Sequence, residues 1–243
     1  MIELIVLVVS AFLLLALTLW KRKSPAKIRE MPALLHLYRM LGLSVEDGTR
    51  MHVSLGSGNL FNSQGGSALA GLAMLRHITE RTSVSDKPSV ASAGDSMLGL
   101  LAQDTMQAGY QAAGVDELYV PTTGRVTGLS PFGYAAGAMN IAKNENVSAN
   151  IMIGRFGPEA ALLIDAADRE NVGTVGASDD LVGQAILFAN TQDILIGEDL
   201  FATGAYLGAG ASHLASLTLQ DILRWLVIIA VLAGALAKFA GLF

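Results

Sequence analysis

The chain contains no cysteine, which excludes disulfide frameworks, thiolate metal sites and cysteine nucleophiles together. Proline is scarce, at six residues in 243, while glycine numbers 26. That balance points to an ordered chain with tight turns and close backbone contacts, not to a proline-rich disordered one. Only 15% of residues are charged and the formal net charge is −5. No lysine/arginine stripe interleaves with aromatics, so no nucleic-acid surface is indicated. The four histidines, at 36, 52, 77 and 213, are scattered and form no metal-ligand spacing. Neither a metal nor a cofactor is expected on these grounds.

Apolar residues are present in excess, at 52%, with a mean hydropathy of +0.48. Much of that excess lies at the two ends. Residues 2–20 are almost continuously apolar, broken by Glu3, Ser10 and Thr18, and 17 to 25 such residues are enough to span a bilayer as a helix. Trp20 closes the run at interfacial depth, followed by Lys21, Arg22, Lys23, Lys27 and Arg29. Basic residues accumulate on the cytoplasmic side of spans, so the N-terminus is expected outside and the following domain in the cytoplasm. A basic n-region and a small-residue cleavage site are both missing, which argues against a cleaved signal. The second apolar run, 222–243, opens with Arg224 and Trp225 and is interrupted by Lys238, which can snorkel to the far interface. Ala233, Ala237 and Gly241, four apart, form a small-residue stripe suited to close helix packing.

The expected organisation is an N-terminal transmembrane helix and basic flank (1–23), an amphipathic linker helix (24–48), a cytoplasmic α/β domain (49–219) and a C-terminal transmembrane helix (220–243). In the linker, Leu34, Leu35, Leu37, Tyr38 and Leu41 give a helical apolar face between Pro32 and Gly42. That face could lie on the membrane, pack on the domain or meet another copy. From residue 50 onward the apolar period switches repeatedly. Strands are predicted at 51–55, 89–93, 118–120, 150–153, 172–175 and 194–196. The intervening helices fall at 66–82, 96–113, 132–143, 158–169 and 179–189. Regular alternation of this kind predicts an α/β fold with a mostly parallel sheet and helices on both faces.

Sites in such folds lie at the carboxyl ends of the strands. The glycine-rich turn Gly56-Ser57-Gly58 with Asn59 follows the first strand and precedes a helix, so its amides are candidates for holding an anion. The dinucleotide fingerprint needs a third glycine where Phe61 stands, and no P-loop Lys-Ser/Thr occurs. Asp95 and Glu159 follow later strands, as do Asp179, Asp180, Glu198 and Asp199. Paired acids can bind cations or exchange protons, but at these positions capping and favourable helix-dipole contacts explain most of them. No nucleophile-elbow motif is present, and no catalytic residue is assigned.

From Phe61 to about Leu219 the chain resembles a family of uncharacterised prokaryotic membrane proteins known as a domain of unknown function. The resemblance is carried by the alternation itself, by Phe132-Gly133-Tyr134-Ala135-Ala136-Gly137, and by Phe156-Gly157-Pro158-Glu159. It is strongest in Asp193-Ile194-Leu195-Ile196-Gly197-Glu198-Asp199-Leu200-Phe201-Ala202, continuing to Ala205-Tyr206-Leu207. It implies architecture and a membrane location, not chemistry.

Three functions compete. The first is a membrane-anchored scaffold subunit assembling with copies of itself into a ring, cage or lattice. Its partners would be the lipid bilayer and its own copies, with room for further membrane proteins. The second is a tethered ligand-binding domain or enzyme, its pocket lined by 56–62, Asp95, 122–125 and Glu159. The third is a transport component, for which the first span offers one acid, Glu3.

Overall fold

The computed structural model describes residues 2–23, 30–61, 65–207 and 211–239. Helices α1 Ile2–Lys23 and α2 Pro32–Glu46 come first, then β1 Arg50–Gly56, α3 Gly65–Thr82, β2 Val90–Ala93 and α4 Ser96–Ala112. They are followed by β3 Gly124–Val126, α5 Pro131–Ala138, α6 Ile141–Asn144, β4 Val147–Arg155 and α7 Ala160–Arg169. The chain ends with β5 Gly173–Ser178, α8 Leu181–Asn190, β6 Asp193–Leu195, α9 Asp199–Tyr206 and α10 Ala211–Phe239. Contacts gather these elements into two units: Glu30–Thr203, and the chain ends Met1–Arg29 with Gly204–Phe243.

In the first unit all strand pairings are parallel and the order is β3-β2-β1-β4-β5-β6. This is the doubly wound order, in which the sheet grows outward in both directions from β1 and β4. Right-handed crossovers then place α3 and α4 on one face over β1–β3, and α7 and α8 on the other over β4–β6. The strands have little solvent contact on either face, so they read as apolar runs with a two-residue alternation beneath. On β1, Leu55 points at α3, where a Cβ on Gly71 would lie 3.0 Å from its Cδ2. His52 and Ser54 point to the opposite face. That second face is filled by Tyr134, Ala135, Met152, Phe156, Leu163, Ile164 and Leu187.

Doubly wound crossovers leave the first face bare over β4–β6. Helix α2 covers it, contacting β4, β5, β6 and α3. Its buried side is Ala33, Leu34, Leu37 and Leu41, and a Cβ on Gly173, at the start of β5, would meet the Met40 sulfur at 2.9 Å. The His36 Nδ1 meets the Asp193 carboxylate at the head of β6. Of the three roles open to this amphipathic helix, the one seen is packing on the domain.

Several boundaries differ from the sequence reading. The third strand is Gly124–Val126, not 118–120. Leu118 and Val120 are exposed, and their segment forms single 3-10 turns at Asp116–Leu118 and Pro121–Thr123. Pro121 presets the turn and lacks the N–H that a strand ladder would use. The helix expected over 132–143 divides into α5 and α6 at Met139 and Asn140. Helix α9 is an element not among the predicted helices, and it begins at Asp199, an acid read as standing in a first helical turn.

The second unit is described by itself. Leu13 and Leu17 of α1 pack with Ala215 and Leu219 of α10. Beyond that contact Leu226, Val227, Ile229, Val231, Leu232 and Leu236 are exposed. Among the described residues one helix is long and apolar enough to cross a membrane, Ser212–Phe239.

Candidate functional site at the carboxyl ends of the strands

The strand order reverses between β1 and β4, and the crevice beyond their carboxyl ends is where doubly wound sheets hold ligands. Gly56 and Gly58 are both there. Gly56 has φ +72°, and a Cβ on it would lie 2.2 Å from the Arg155 carbonyl oxygen. A Cβ on Gly58 would come within 3.1 Å of the Arg155 Cβ. These glycines let two neighbouring strand ends pass close to each other. Three nearby amides are committed as well. The Gly56 N–H donates to the Tyr134 hydroxyl at 3.3 Å, Ser57 N–H donates to the Arg155 carbonyl at 3.0 Å, and Gly94 N–H donates to the Gly56 carbonyl at 2.8 Å.

The other candidates have local partners. Asn59 Oδ1 accepts from the Phe61 amide at 2.8 Å, closing an Asx turn. Asp95 caps α4, accepting from Leu98 N–H at 3.0 Å. Glu159 is 1% exposed and accepts from Gly157 N–H at 2.9 Å. Among the described residues no hydrogen bond or ion pair joins any two of Gly56, Gly58, Asn59, Asp95 and Glu159. Asn62, the far end of the proposed pocket loop, lies outside the described residues. Residues 122–125 do not line this edge. They lie at the opposite, amino-terminal edge with Arg50 and Glu145.

An ion-pair cluster that sequence reasoning did not assemble also lies here. Arg155, the last residue of β4, reaches Asp179 at 3.7 Å and Asp180 at 3.3 Å. Asp180 caps α8 through Val182 and Gly183 N–H groups. Asp179 Oδ2 instead accepts from Ser67 Oγ at 2.9 Å, and Ser67 is the third residue of α3. A phosphate in a dinucleotide site sits at this helix N-terminus. Here the Asp179 carboxylate reaches the Ser67 hydroxyl in that first turn, with Arg155 as its counter-ion. The adjacent acids 179 and 180 were visible in the sequence, but Arg155 and Ser67, the partners of Asp179, lie 24 and 112 residues away.

Beneath the crevice runs a buried polar layer. The Tyr134 hydroxyl bonds Ser54 at 2.5 Å and Ser92 at 3.1 Å, and Ser92 Oγ bonds His52 Nε2 at 2.8 Å. Asn150, the β4 partner of His52 in register, lies beside it. Burial holds the His52 imidazole down to about 4, well below its ordinary range, and pushes the Tyr134 phenol up. Both groups are therefore neutral at physiological pH. Enclosed at 2% exposure or less, they serve as internal struts and not as solvent-facing acid or base.

A family model matches the chain over residues 1–243, from the first apolar helix through the last. The chain belongs to the family described as a domain of unknown function (DUF6754). No curated protein and no solved structure matches it. Membership assigns no chemistry, so function rests on the surfaces of this chain itself.

The residues expected at the membrane lie in the second unit. Trp20 and Trp225 are exposed, Lys21 Nζ stands 5.9 Å from the Trp20 ring centroid, and Arg22 is exposed. Arg224 pairs with Asp221 at 3.7 Å. Ala233 is exposed and Ala237 half-buried. The Lys23 side chain and Gly241 lie outside the described residues.

Proposed function

We propose that the protein is a membrane-anchored scaffold subunit that self-assembles into a homo-oligomer at the cytoplasmic face of the membrane. The observation that carries this reading is the outer face of α8. Leu181 is 81% exposed and Phe188 67%, with Val182, Ala185 and Ala189 exposed between and beside them. No charged residue occurs from Leu181 to Asn190. A surface helix ordinarily carries charge on its outer side, and one that is apolar all round is normally covered. Burying Leu181, Val182 and Phe188 would contribute on the order of 5 kcal/mol per face before the cost of association. Tethering to a membrane raises the effective concentration of copies and lets modest contacts suffice. The pairing of Arg155 with Asp179 and Asp180, and of Asp179 with Ser67, is consistent with the same reading.

The anchors in this reading are α10 and α1. Helix α10 supplies the apolar length, and α1 contributes the apolar run 2–20 with its basic flank, which favours an outside N-terminus and a cytoplasmic α/β domain. The test is the double variant Leu181→Asp/Phe188→Asp, made at exposed positions where folding is not at stake. Light scattering of the detergent-solubilised chain should show the wild type as a multimer and the variant as smaller species. A variant that assembles like the wild type removes α8 from the interface.

A second reading, a tethered ligand-binding domain with its pocket over the strand carboxyl ends, draws support from the doubly wound order alone. Fold order does not carry function. A thermal-shift screen of nucleotides and divalent cations decides it: saturable stabilisation supports the pocket, and its absence removes it.

A further inference from the structure

The amino-terminal edge of the sheet, opposite the strand-end crevice, holds a cavity of about 370 Å³ that the scaffold reading does not use. It is built where the starts of β1, β2, β3 and β4 converge. Arg50 opens β1 and Arg125 lies in β3. Glu145 is delivered between them by the turn from α6 into β4, where Asn146 adopts φ +55°. One carboxylate serves both guanidiniums, with Arg125 Nη2 to Oε1 at 2.6 Å and Arg50 Nη1 to Oε2 at 3.3 Å. Arg125 Nε–H also donates to the Thr122 carbonyl at 2.8 Å. Each guanidinium has five N–H donors, so most of the ten remain unassigned on half-buried groups. Two cations sharing one anion leave an excess positive charge inside the cavity. The other acid on its wall, Asp86, is exposed and therefore screened.

Tyr110 adds a polar group: it lines the same cavity, and its side chain is 1% exposed. Burial pushes its phenol up, so it stays protonated and able to donate. The remaining wall includes the apolar groups of Pro88, Leu118 and Val120. The cavity's volume lies at the low end of the range for small-molecule sites.

We infer that this cavity is a binding site for a small organic anion, its phosphate or carboxylate head held by Arg50, Arg125 and the Tyr110 hydroxyl and its apolar body against Pro88, Leu118 and Val120. Guanidinium forks match such heads in geometry as well as charge. Binding here is independent of assembly through α8, so either idea can fail without the other.

The test is titration calorimetry on the detergent-solubilised full chain at constant ionic strength, with phenyl phosphate and inorganic phosphate as probes. Phenyl phosphate should bind saturably with a dissociation constant of roughly 1 mM or tighter, and inorganic phosphate more weakly for want of the apolar contact. Arg125→Gln should weaken phenyl phosphate by tenfold or more. Tyr110→Phe keeps the ring and loses the hydroxyl, and should weaken it by roughly two- to tenfold, the range for one hydrogen bond. Arg76→Gln, in an exposed i,i+4 pair elsewhere, should change nothing. No saturable binding of phenyl phosphate by the wild type overturns the assignment. So does binding that Tyr110→Phe and Arg125→Gln, each folded by circular dichroism, leave unchanged.

Discussion

Acid should loosen the α/β unit through His52, by an amount that follows from its burial. The imidazole is 2% exposed between β2 and β4, hydrogen-bonded to Ser92. Its affinity for a proton falls from the model-peptide value of 6.5 to about 4, chiefly through burial. The folded value lies below the unfolded one, so the unfolded chain takes up the proton first as pH falls. Stability from this residue is therefore intact above 6.5, declines with falling pH between 6.5 and 4, and levels off below. At 1.36 kcal/mol per unit the full loss is about 3 kcal/mol, of which about 2 kcal/mol falls between pH 7 and pH 5. His77 is also lowered by burial and pushes in the same direction, so the measurement needs a variant that isolates His52. His52→Gln cannot titrate and keeps a polar side chain beside Ser92. Both tryptophans, Trp20 and Trp225, lie outside Glu30–Thr203, so tryptophan fluorescence does not report on this unit. Amide exchange of peptides covering β1 and β4 does, after correction for intrinsic rates. The wild type should lose about 2 kcal/mol more than His52→Gln between pH 7 and pH 5. Equal losses in the two proteins would refute the reasoning.

Other consequences are as direct. Gly56→Ala combines φ +72° with a Cβ 2.2 Å from the Arg155 carbonyl oxygen; backbone strain alone should cost about 1–3 kcal/mol, read as faster exchange in β1 and β4. Leu37→Ala, at a 1% exposed position on α2, should destabilise the unit by about 3 kcal/mol in urea unfolding, whereas a helix lying free of the domain would show almost no loss. Topology can be read cleanly because the chain has no cysteine. A cysteine introduced at Asp104, in α4, should be shielded from an impermeant maleimide in intact cells and label after lysis, and labelling in intact cells would reverse the proposed orientation.

The alternation of strands and helices was legible because parallel strands are buried on both faces and stand out as short apolar runs. The same rule misplaced the third strand. Leu118 and Val120 have strand-forming side chains, but Pro121 turns the chain there, and the edge strand β3 is only three residues, Gly124–Val126, too short to show a period. The Asp95 cap was readable because its partner Leu98 is three residues away. The role of Gly56 was not, because the atom that forbids a side chain belongs to Arg155, 99 residues later. For the same reason neither the Ser67–Asp179–Arg155 cluster nor the Arg50–Glu145–Arg125 cluster could be seen. Each joins elements that only the strand order brings together. The polar layer of His52, Ser54, Ser92 and Tyr134 runs against the expectation that inward strand positions are apolar, and it appears only once the helix carrying Tyr134 is laid over β1.

The central claim is that this chain assembles with itself through its α/β unit while its ends hold the membrane. Projection images of the full chain, extracted in mild detergent, together with the particle mass by light scattering, test it most directly. The account predicts a symmetric particle of several copies whose soluble units touch through α8. A monodisperse single-copy particle, at concentrations where the extracted protein remains folded, would contradict it.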